Sequence, residues 1–178
     1  SWTIEKNILN YEEAVIRCIG MTMETRPDYR IFEQADTMLR LGCTRVELGV
    51  QSVYEDALRQ VHRDHTVKDS IEAIKLLKNM GFKINAHMMP GLPGWSYQRD
   101  MKGLQQLFSD ERFRPDMLKI YPTMVMKGTP LYDQYQRGEF TPMDTKTATK
   151  LLGEFIPEVP RYVRIMRVQR DIPTVQTE

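Results

Sequence analysis

Apolar and polar residues alternate along five short stretches of the chain. In Arg45–Val50, the clearest case, every second side chain is apolar, and Glu47 and Gln51 fall on the opposite, polar face. Gln51 then lies at the carboxyl end of the strand. The same alternation predicts further strands at Cys18–Glu24, Phe82–Met89, Met117–Tyr121 and Tyr162–Gln169.

Segments with helical spacing separate these strands, and local signals mark where they begin and end. Thr66–Asp69 reads as a capping box, Ser96 can cap a second helix, and Asp144 or Thr145 begins another. Gly42 is suited to end a helix in the left-handed conformation. Strands that alternate with helices predict parallel strands joined by crossover connections.

The polar face of each predicted strand decides between sheet architectures. In an open sheet with helices on both faces, the strands should be apolar throughout. Alternating strands instead fit a curved sheet whose polar face lines a lumen. We therefore predict an α/β fold over 1–178, a partial (β/α) barrel with parallel strands and outer helices. The rival is an antiparallel sheet with one solvated face, which the helix-length connections disfavour.

Composition narrows the class of protein. The chain has 178 residues, of which 41% are hydrophobic and 28% charged, so it can bury the core of one globular domain. Its net charge of +1 does not by itself indicate a nucleic-acid partner. No apolar run reaches membrane-spanning length, and the cytoplasm is the predicted compartment. Two cysteines are too few for a disulfide framework or a thiolate metal site.

Candidate chemistry gathers at the carboxyl ends of the strands, the functional face of a parallel barrel. The polar residues expected there are Glu24, Gln51, His87 and Tyr121. His87 is compatible with a site role or with a buried, hydrogen-bonded core position. Lys119, on the same face, would be a Schiff-base nucleophile if desolvated, or the ion-pair partner of nearby carboxylates.

Three further groups have both a functional and a structural interpretation. The first is a series of four arginines, Arg161, Arg164, Arg167 and Arg170. They would either contact phosphates at one barrel edge or form ion pairs in the lumen. A regular strand would divide them between its two faces. The cysteines Cys18 and Cys43 are expected to be small buried residues at the strand starts. His62 and His65 have no third ligand nearby, so we predict no zinc site there.

Five strings of the chain resemble the family of Elongator catalytic subunits. They span most of the sequence, from about Arg17 to Pro173, and are Glu24–Asp28, Gly42–Asp56, His87–Pro93, Phe113–Thr123 and Arg167–Pro173. The string Gly-Val-Gln-Ser at Gly49–Ser52 also resembles a broader feature of radical S-adenosylmethionine enzymes.

This resemblance implies a radical S-adenosylmethionine barrel with a four-iron four-sulfur cluster. It also implies carboxymethyl-type modification of the wobble uridine of tRNA, with acetyl-coenzyme A as co-substrate and, in a eukaryote, other Elongator subunits as partners. Glu24 and Arg26 would hold the methionyl amine and carboxylate, Gln51 the nucleoside, and His87 would lie beside them. Lys119 and Tyr121 are the catalytic candidates.

The chain departs from the family pattern in two respects. It has neither the loop of three closely spaced cysteines nor an acetyltransferase domain. The family places these before and after the matched region, so we expect 1–178 to be a central part of the barrel, with the cluster ligands upstream. Two other functions stay open: a non-catalytic tRNA-binding module and a Schiff-base lyase that uses Lys119.

Overall fold

The computed structural model describes residues 13–28 and 31–169 of the chain. Five strands form one sheet in the order β1-β2-β3-β4-β5, and every neighbouring pair is parallel. The strands are Thr22–Thr25 (β1), Arg45–Gln51 (β2), Lys83–Met88 (β3), Met117–Ile120 (β4) and Arg164–Val168 (β5). The predicted parallel sheet is confirmed, and the antiparallel alternative is wrong.

Helices connect the strands and begin where the capping signals predicted. Their bounds are Ile31–Arg40 (α1), Glu55–Gln60 (α2), Val67–Asn79 (α3), Tyr97–Ser109 (α4), Pro130–Gln136 (α5) and Thr145–Phe155 (α6), followed by a 3-10 turn at Ile156–Glu158. Thr66 and Asp69 form the capping box of α3. The side chains of Ser96 and Asp144 cap α4 and α6.

The core lies between the apolar face of the sheet and the outer helices. Val46, Leu48 and Val50 of β2 are completely buried, as the alternation of this strand predicted. Helix α3 packs on β2 and β3, and α4 packs against α6. The opposite face of the sheet carries no such helices among the described residues, and it holds the polar side chains considered below.

The first strand is shorter than predicted, and its cysteine is exposed. Pairing with β2 begins only at Thr22, opposite Arg45, so Cys18 and Ile19 precede the sheet and are exposed. The prediction that Cys18 is a buried residue is therefore wrong, because no sheet neighbour covers this position. Cys43, just before β2, is buried as predicted. None of the helices in 13–28 and 31–169 is long and apolar enough to cross a bilayer.

The loop after β3 is tied to the first turn of α4. Gly91 adopts a φ of +85°, which favours glycine, and its N–H donates to Asp100 Oδ2 at 2.7 Å. Burial raises the pKa of Asp100 to about 6, although the Gly91 hydrogen bond and the charge of Arg99 act in the opposite direction. This contact fixes the loop at the carboxyl end of the sheet.

Asp100 should make stability depend on pH. Its pKa is about 6 in the folded protein against 3.8 ordinarily, so folding takes up a proton in this range and stability falls as the pH rises through it. Asp100→Asn keeps an acceptor for Gly91 and removes the charge. We expect the variant to gain about 1–2 kcal/mol over wild type between pH 4 and pH 7.5, after allowance for solvent screening.

Thermal unfolding of the full-length protein across this pH range measures the difference. Asp36→Asn on α1 is the control, because Asp36 is an exposed aspartate that pairs with Arg40. Identical pH slopes for wild type and Asp100→Asn would contradict the role given to Asp100.

Candidate functional site

One carboxylate on β2 binds polar side chains from the next two strands of the sheet. Glu47 of β2 accepts hydrogen bonds from Asn85 Nδ2 at 3.3 Å and His87 Nε2 at 2.9 Å, both on β3. The ammonium of Lys119 on β4 donates to the same carboxylate. The strand register explains the cluster, since Glu47 lies beside Asn85, and His87 beside Lys119. The predicted polar face thus forms a connected network.

Hydrogen bonds within the network keep Glu47 ionised and favour one of the two roles considered for Lys119. Burial alone would raise the pKa of Glu47, but hydrogen bonds from Lys119 and His87 outweigh it, and the net pKa is lowered. Glu47 is therefore ionised at neutral pH. The Lys119 side chain is engaged with this carboxylate, whereas a Schiff-base nucleophile needs a free amine. The ion-pair interpretation of Lys119 is thereby favoured over the Schiff-base nucleophile.

His87 lies between two carboxylates. Burial lowers its pKa, although the hydrogen bond to Glu47 acts in the opposite direction. A neutral imidazole that donates from Nε2 to Glu47 leaves Nδ1 unprotonated, and this atom is 3.7 Å from the carboxylate of Glu24. The ring of Tyr121 packs edge-on against His87, with ring centroids 5.7 Å apart. Glu24, His87 and Tyr121 thus lie together, as their strand positions predicted.

Gln51 has an unusual conformation at the end of β2. Its φ is +66°, and the residue is only 8% exposed, so that solvent contributes little to its hydrogen bonding. Among the described residues, its Oε1 has no hydrogen-bond partner. Gly49 makes room for this amide, because a Cβ at position 49 would lie 2.9 Å from Gln51 Nε2. A buried acceptor without a partner is unusual in a folded protein and calls for an explanation.

Two adjoining cavities open around Gln51. The first, which we call the polar cavity, has a volume of about 350 Å³ and is lined by Glu24, His87, Lys119, Tyr121 and Arg167, among others. The second, the methionine cavity, has about 430 Å³ and includes Leu92, Thr123 and Leu131 in its wall. Both are bordered by Gln51, Arg63, Met89, Met124 and Met126. Volumes of this size are typical of small-molecule sites.

Sequence reasoning missed two residues of these walls. Arg63 is half-buried, burial lowers its pKa, and no acceptor within the described residues bonds its guanidinium. Thr123 is buried, and its hydroxyl is likewise unpartnered in the described part of the chain. Arg63 follows α2 in a loop, and nothing in its local sequence separates it from a surface arginine. Only the fold brings it next to Gln51.

Arg26 lies apart from the cavities. Its guanidinium bonds Asp28 and, at 3.1 Å, Asp64, and it is not part of either cavity wall. Its predicted contact with the methionyl carboxylate remains a prediction.

The arginines near β5 share a face of the sheet. Arg164 pairs with Met117 and Arg167 with Lys119, because an irregularity in the register inserts one extra residue into β5. Met117 and Lys119 are two apart on β4, so the arginines beside them point the same way. The expectation that a strand would split them between faces is wrong for this pair.

None of the arginines in this group that the structure describes forms a lumen ion pair. Arg161, Arg164 and Arg167 are exposed, and no carboxylate in 13–28 or 31–169 pairs with them. This favours the phosphate interpretation over the ion-pair interpretation. Arg170 lies outside the described residues.

Potential metal ligands occur in two places, the histidines His62 and His65 and the group around Glu47. His65 is buried and bonds a backbone carbonyl, while His62 is exposed, so they do not form a shared site. Ligand atoms of Glu24, Glu47 and His87 lie within 4.8 Å of one another. The Lys119 ammonium, however, bonds the same Glu47 oxygen as His87. It thus already occupies the position beside Glu47 where a metal ion would bring positive charge.

Sequence comparison relates the chain to known protein families. The model of the radical SAM superfamily matches residues 2–103, more than half of the chain, and that of the radical SAM C-terminal domain matches 115–177. A tRNA uridine(34) acetyltransferase from Methanocaldococcus infernus is 46% identical over 91% of the chain and 30% of its own length. Human Elongator complex protein 3 has the same identity and coverage. The chain thus spans about a third of these curated relatives.

Solved structures give the same result. The archaeal Methanocaldococcus infernus Elp3 with an N-terminal deletion superposes with a TM-score of 0.94 at 43% identity, over 99% of this chain and 42% of that one. The radical SAM enzyme coproporphyrinogen III oxidase of Escherichia coli has a TM-score of 0.62 at 18% identity, over 80% of this chain and 32% of its own, and shares the fold. The chain therefore belongs to the radical SAM superfamily, and within it resembles the radical SAM region of tRNA uridine(34) acetyltransferases and Elongator complex protein 3.

Proposed function

We propose that this chain binds S-adenosylmethionine across the two cavities, as the radical SAM part of an enzyme that modifies uridine 34 of tRNA. The observation that carries the proposal is the buried, unpartnered Oε1 of Gln51 at the junction of the cavities. An acceptor left in this state costs about 1–3 kcal/mol unless a ligand donates to it. The hydroxyl and amino groups of a nucleoside are such donors.

The residues around Gln51 fit the remaining parts of the cofactor. Arg63 offers an unpaired guanidinium for the methionyl carboxylate, and Glu24 offers a carboxylate for the amine. We assign the carboxylate to Arg63 in place of Arg26, whose charge is already neutralised by two aspartates. The flexible side chains of the methionine cavity would pack against the adenine ring.

The cysteines of this chain do not fit an iron–sulfur cluster. Cys18 and Cys43 are the sequence's two cysteines, and both precede strands, at the end of the sheet opposite Gln51. A cubane cluster needs three or four closely grouped thiolates. Cys18 and Cys43 therefore do not supply the thiolates that such a cluster needs. In this superfamily, S-adenosylmethionine and the cluster together supply radical chemistry when bound.

The chain's own residues would bind and orient the cofactor. Glu47 holds Lys119 and His87 in place, so that the polar cavity keeps a fixed pattern of donors beside the cofactor. Lys119 and Tyr121 line this cavity and are the residues we propose to contact the reacting groups. The apolar wall of the methionine cavity would exclude water from the nucleoside.

Substrate, co-substrate and partners follow from the names of the relatives. By analogy with a tRNA uridine(34) acetyltransferase, the substrate would be tRNA and acetyl-coenzyme A the donor of the acetyl group. By analogy with Elongator complex protein 3, a eukaryotic protein of this type would assemble with other Elongator subunits. A cytoplasmic location remains a prediction.

Removing the Gln51 amide should weaken cofactor binding without loss of the fold. We expect Gln51→Ala to lower the affinity for S-adenosylmethionine by about tenfold, the value of one good hydrogen bond. Glu24→Ala should also weaken binding, because it removes the carboxylate that we propose for the amine. The Glu24 side chain is exposed and outside the core, so its loss should not affect the fold. Isothermal titration of the full-length protein measures the affinity, and the thermal midpoint should stay nearly unchanged.

A second glutamine provides the matched control. Gln105 on α4 bonds Glu158 on the outer surface, so Gln105→Ala should retain the wild-type affinity. Wild-type affinity in both Gln51→Ala and Glu24→Ala would reject the assigned site.

The arginines near β5 should contribute to tRNA binding through phosphate contacts. Replacing Arg164 and Arg167 together by glutamine should weaken binding and reduce the slope of log K against log salt by about two, roughly one for each lost contact. The charge-matched control replaces Arg40 and Lys68, which lie in ion pairs on outer helices. If both double variants keep the wild-type slope, these arginines do not contact phosphates.

A further inference from the structure

Strand β2 ends in a strained three-residue turn with Gln51 at its centre. The N–H of Ser52 donates to the carbonyl of Val50 at 2.8 Å, and Gln51 between them has a φ of +66°. A γ-turn with positive φ is rare, and for a residue with a side chain it persists only where its surroundings hold it. The conformation that presents the Gln51 amide therefore needs a support.

His65 is placed to provide this support. The residue is only 2% exposed, and its Nε2 lies 3.2 Å from the carbonyl oxygen of Val50, the same oxygen that closes the turn. A carbonyl only accepts, so Nε2 carries the proton. Burial lowers the pKa of His65, which keeps the ring neutral, and Nδ1 has no partner within the described residues. The side chain thus has this single polar contact.

The histidine is itself fixed by the elements on either side. It directly precedes Thr66, whose capping box with Asp69 sets the start of α3. The Glu55 carboxylate of α2 accepts a hydrogen bond from Val67 N at 2.9 Å, which joins the two helices around the loop. His65 is therefore held by a rigid frame, and it transmits that rigidity to Val50.

The other carbonyl of the turn is held from the neighbouring strand. Gln51 O accepts a hydrogen bond from Met89 N at 2.9 Å. With Val50 held by His65 and Gln51 held by Met89, both peptide planes flanking the Gln51 side chain are fixed. Rotation of the Val50 carbonyl would let Gln51 return to ordinary extended backbone, and its amide would leave the space above Gly49.

We propose that His65 is a positioning residue: it holds the Val50 carbonyl so that the left-handed Gln51 presents its amide to the two cavities. The proposal rests on the proposed cofactor site, and it adds a residue that lines neither cavity. His65 would contribute to affinity for S-adenosylmethionine only through Gln51.

A double-mutant cycle in the full-length protein tests this coupling. Titration with S-adenosylmethionine should show that His65→Leu weakens binding by about five- to tenfold, the effect of one lost hydrogen bond. His65→Gln, whose Nε2 can donate to the same carbonyl, should restore the affinity to within about twofold of wild type. In a Gln51→Ala background, His65→Leu should cause no further loss, because the residues act as one unit.

Control variants separate positioning from general destabilisation. Ser70→Ala removes the hydrogen bond from another buried side chain to a backbone carbonyl, that of Thr66 at the N-cap of α3, and should leave the affinity unchanged. If His65→Leu fails to fold, His65→Asn replaces it, because its shorter amide does not reach the position of Nε2. His65→Asn should then bind weakly, while His65→Gln binds normally.

Three results would overturn the proposal. Wild-type affinity in His65→Leu or His65→Asn, with weak binding in Gln51→Ala, would leave the cofactor site in place and remove the role of His65. Additive losses in the double variant would show that His65 acts independently of Gln51. Wild-type affinity in Gln51→Ala would remove the role of Gln51, and that of His65 with it; if Glu24→Ala also bound normally, the proposed cofactor site itself would be rejected.

Discussion

The structure depends on one largely buried carboxylate that links three strands on the polar face of a parallel sheet. With helices covering only the apolar face, polar side chains must find partners within the lumen or with a ligand. Glu47 joins β2 to β3 through Asn85 and His87 and to β4 through Lys119. Removing one partner of such a buried pair usually costs about 3–5 kcal/mol, because the other charge is left uncompensated.

Two unpartnered polar groups lie at the carboxyl ends of the strands, next to the cavities. In the row around Glu47, Lys119 and His87 have specific partners. At the rim, Gln51 Oε1 and Thr123 Oγ1 lack hydrogen-bond partners in the described part of the chain, as do Asn85 Oδ1 in the Glu47 row and Arg45 Nε at the start of β2. Gln51 and Thr123 differ from the other two because they line a cavity, and this coincidence of unpartnered groups with cavity walls indicates the site.

Local pattern was enough to predict the parallel sheet, the helix caps and the position of Glu24, Gln51, His87 and Tyr121 at one end of it. These features depend on the alternation of apolar and polar residues and on short-range capping, both of which are determined by residues close together in the sequence. Family resemblance then supplied an identity for the ligand, which the pattern alone did not contain.

Features that arise from contacts distant in the chain could not be predicted in this way. Arg26 pairs with Asp64, 38 positions further on, and is thereby occupied. The extra residue in β5 becomes visible only in its register with β4, and the bond from His65 to Val50 depends on how a loop folds back over β2. In each case, the local sequence is also compatible with an ordinary surface or strand position.

The central claim is that one S-adenosylmethionine-type ligand occupies both cavities around Gln51. The most direct measurement is the crystal structure of the full-length protein with S-adenosylhomocysteine, which presents the same nucleoside and amino acid. The account predicts that the nucleoside donates a hydrogen bond to Gln51 Oε1 and that the ligand carboxylate contacts Arg63. A ligand bound elsewhere, with Gln51 Oε1 still unpartnered, would contradict it.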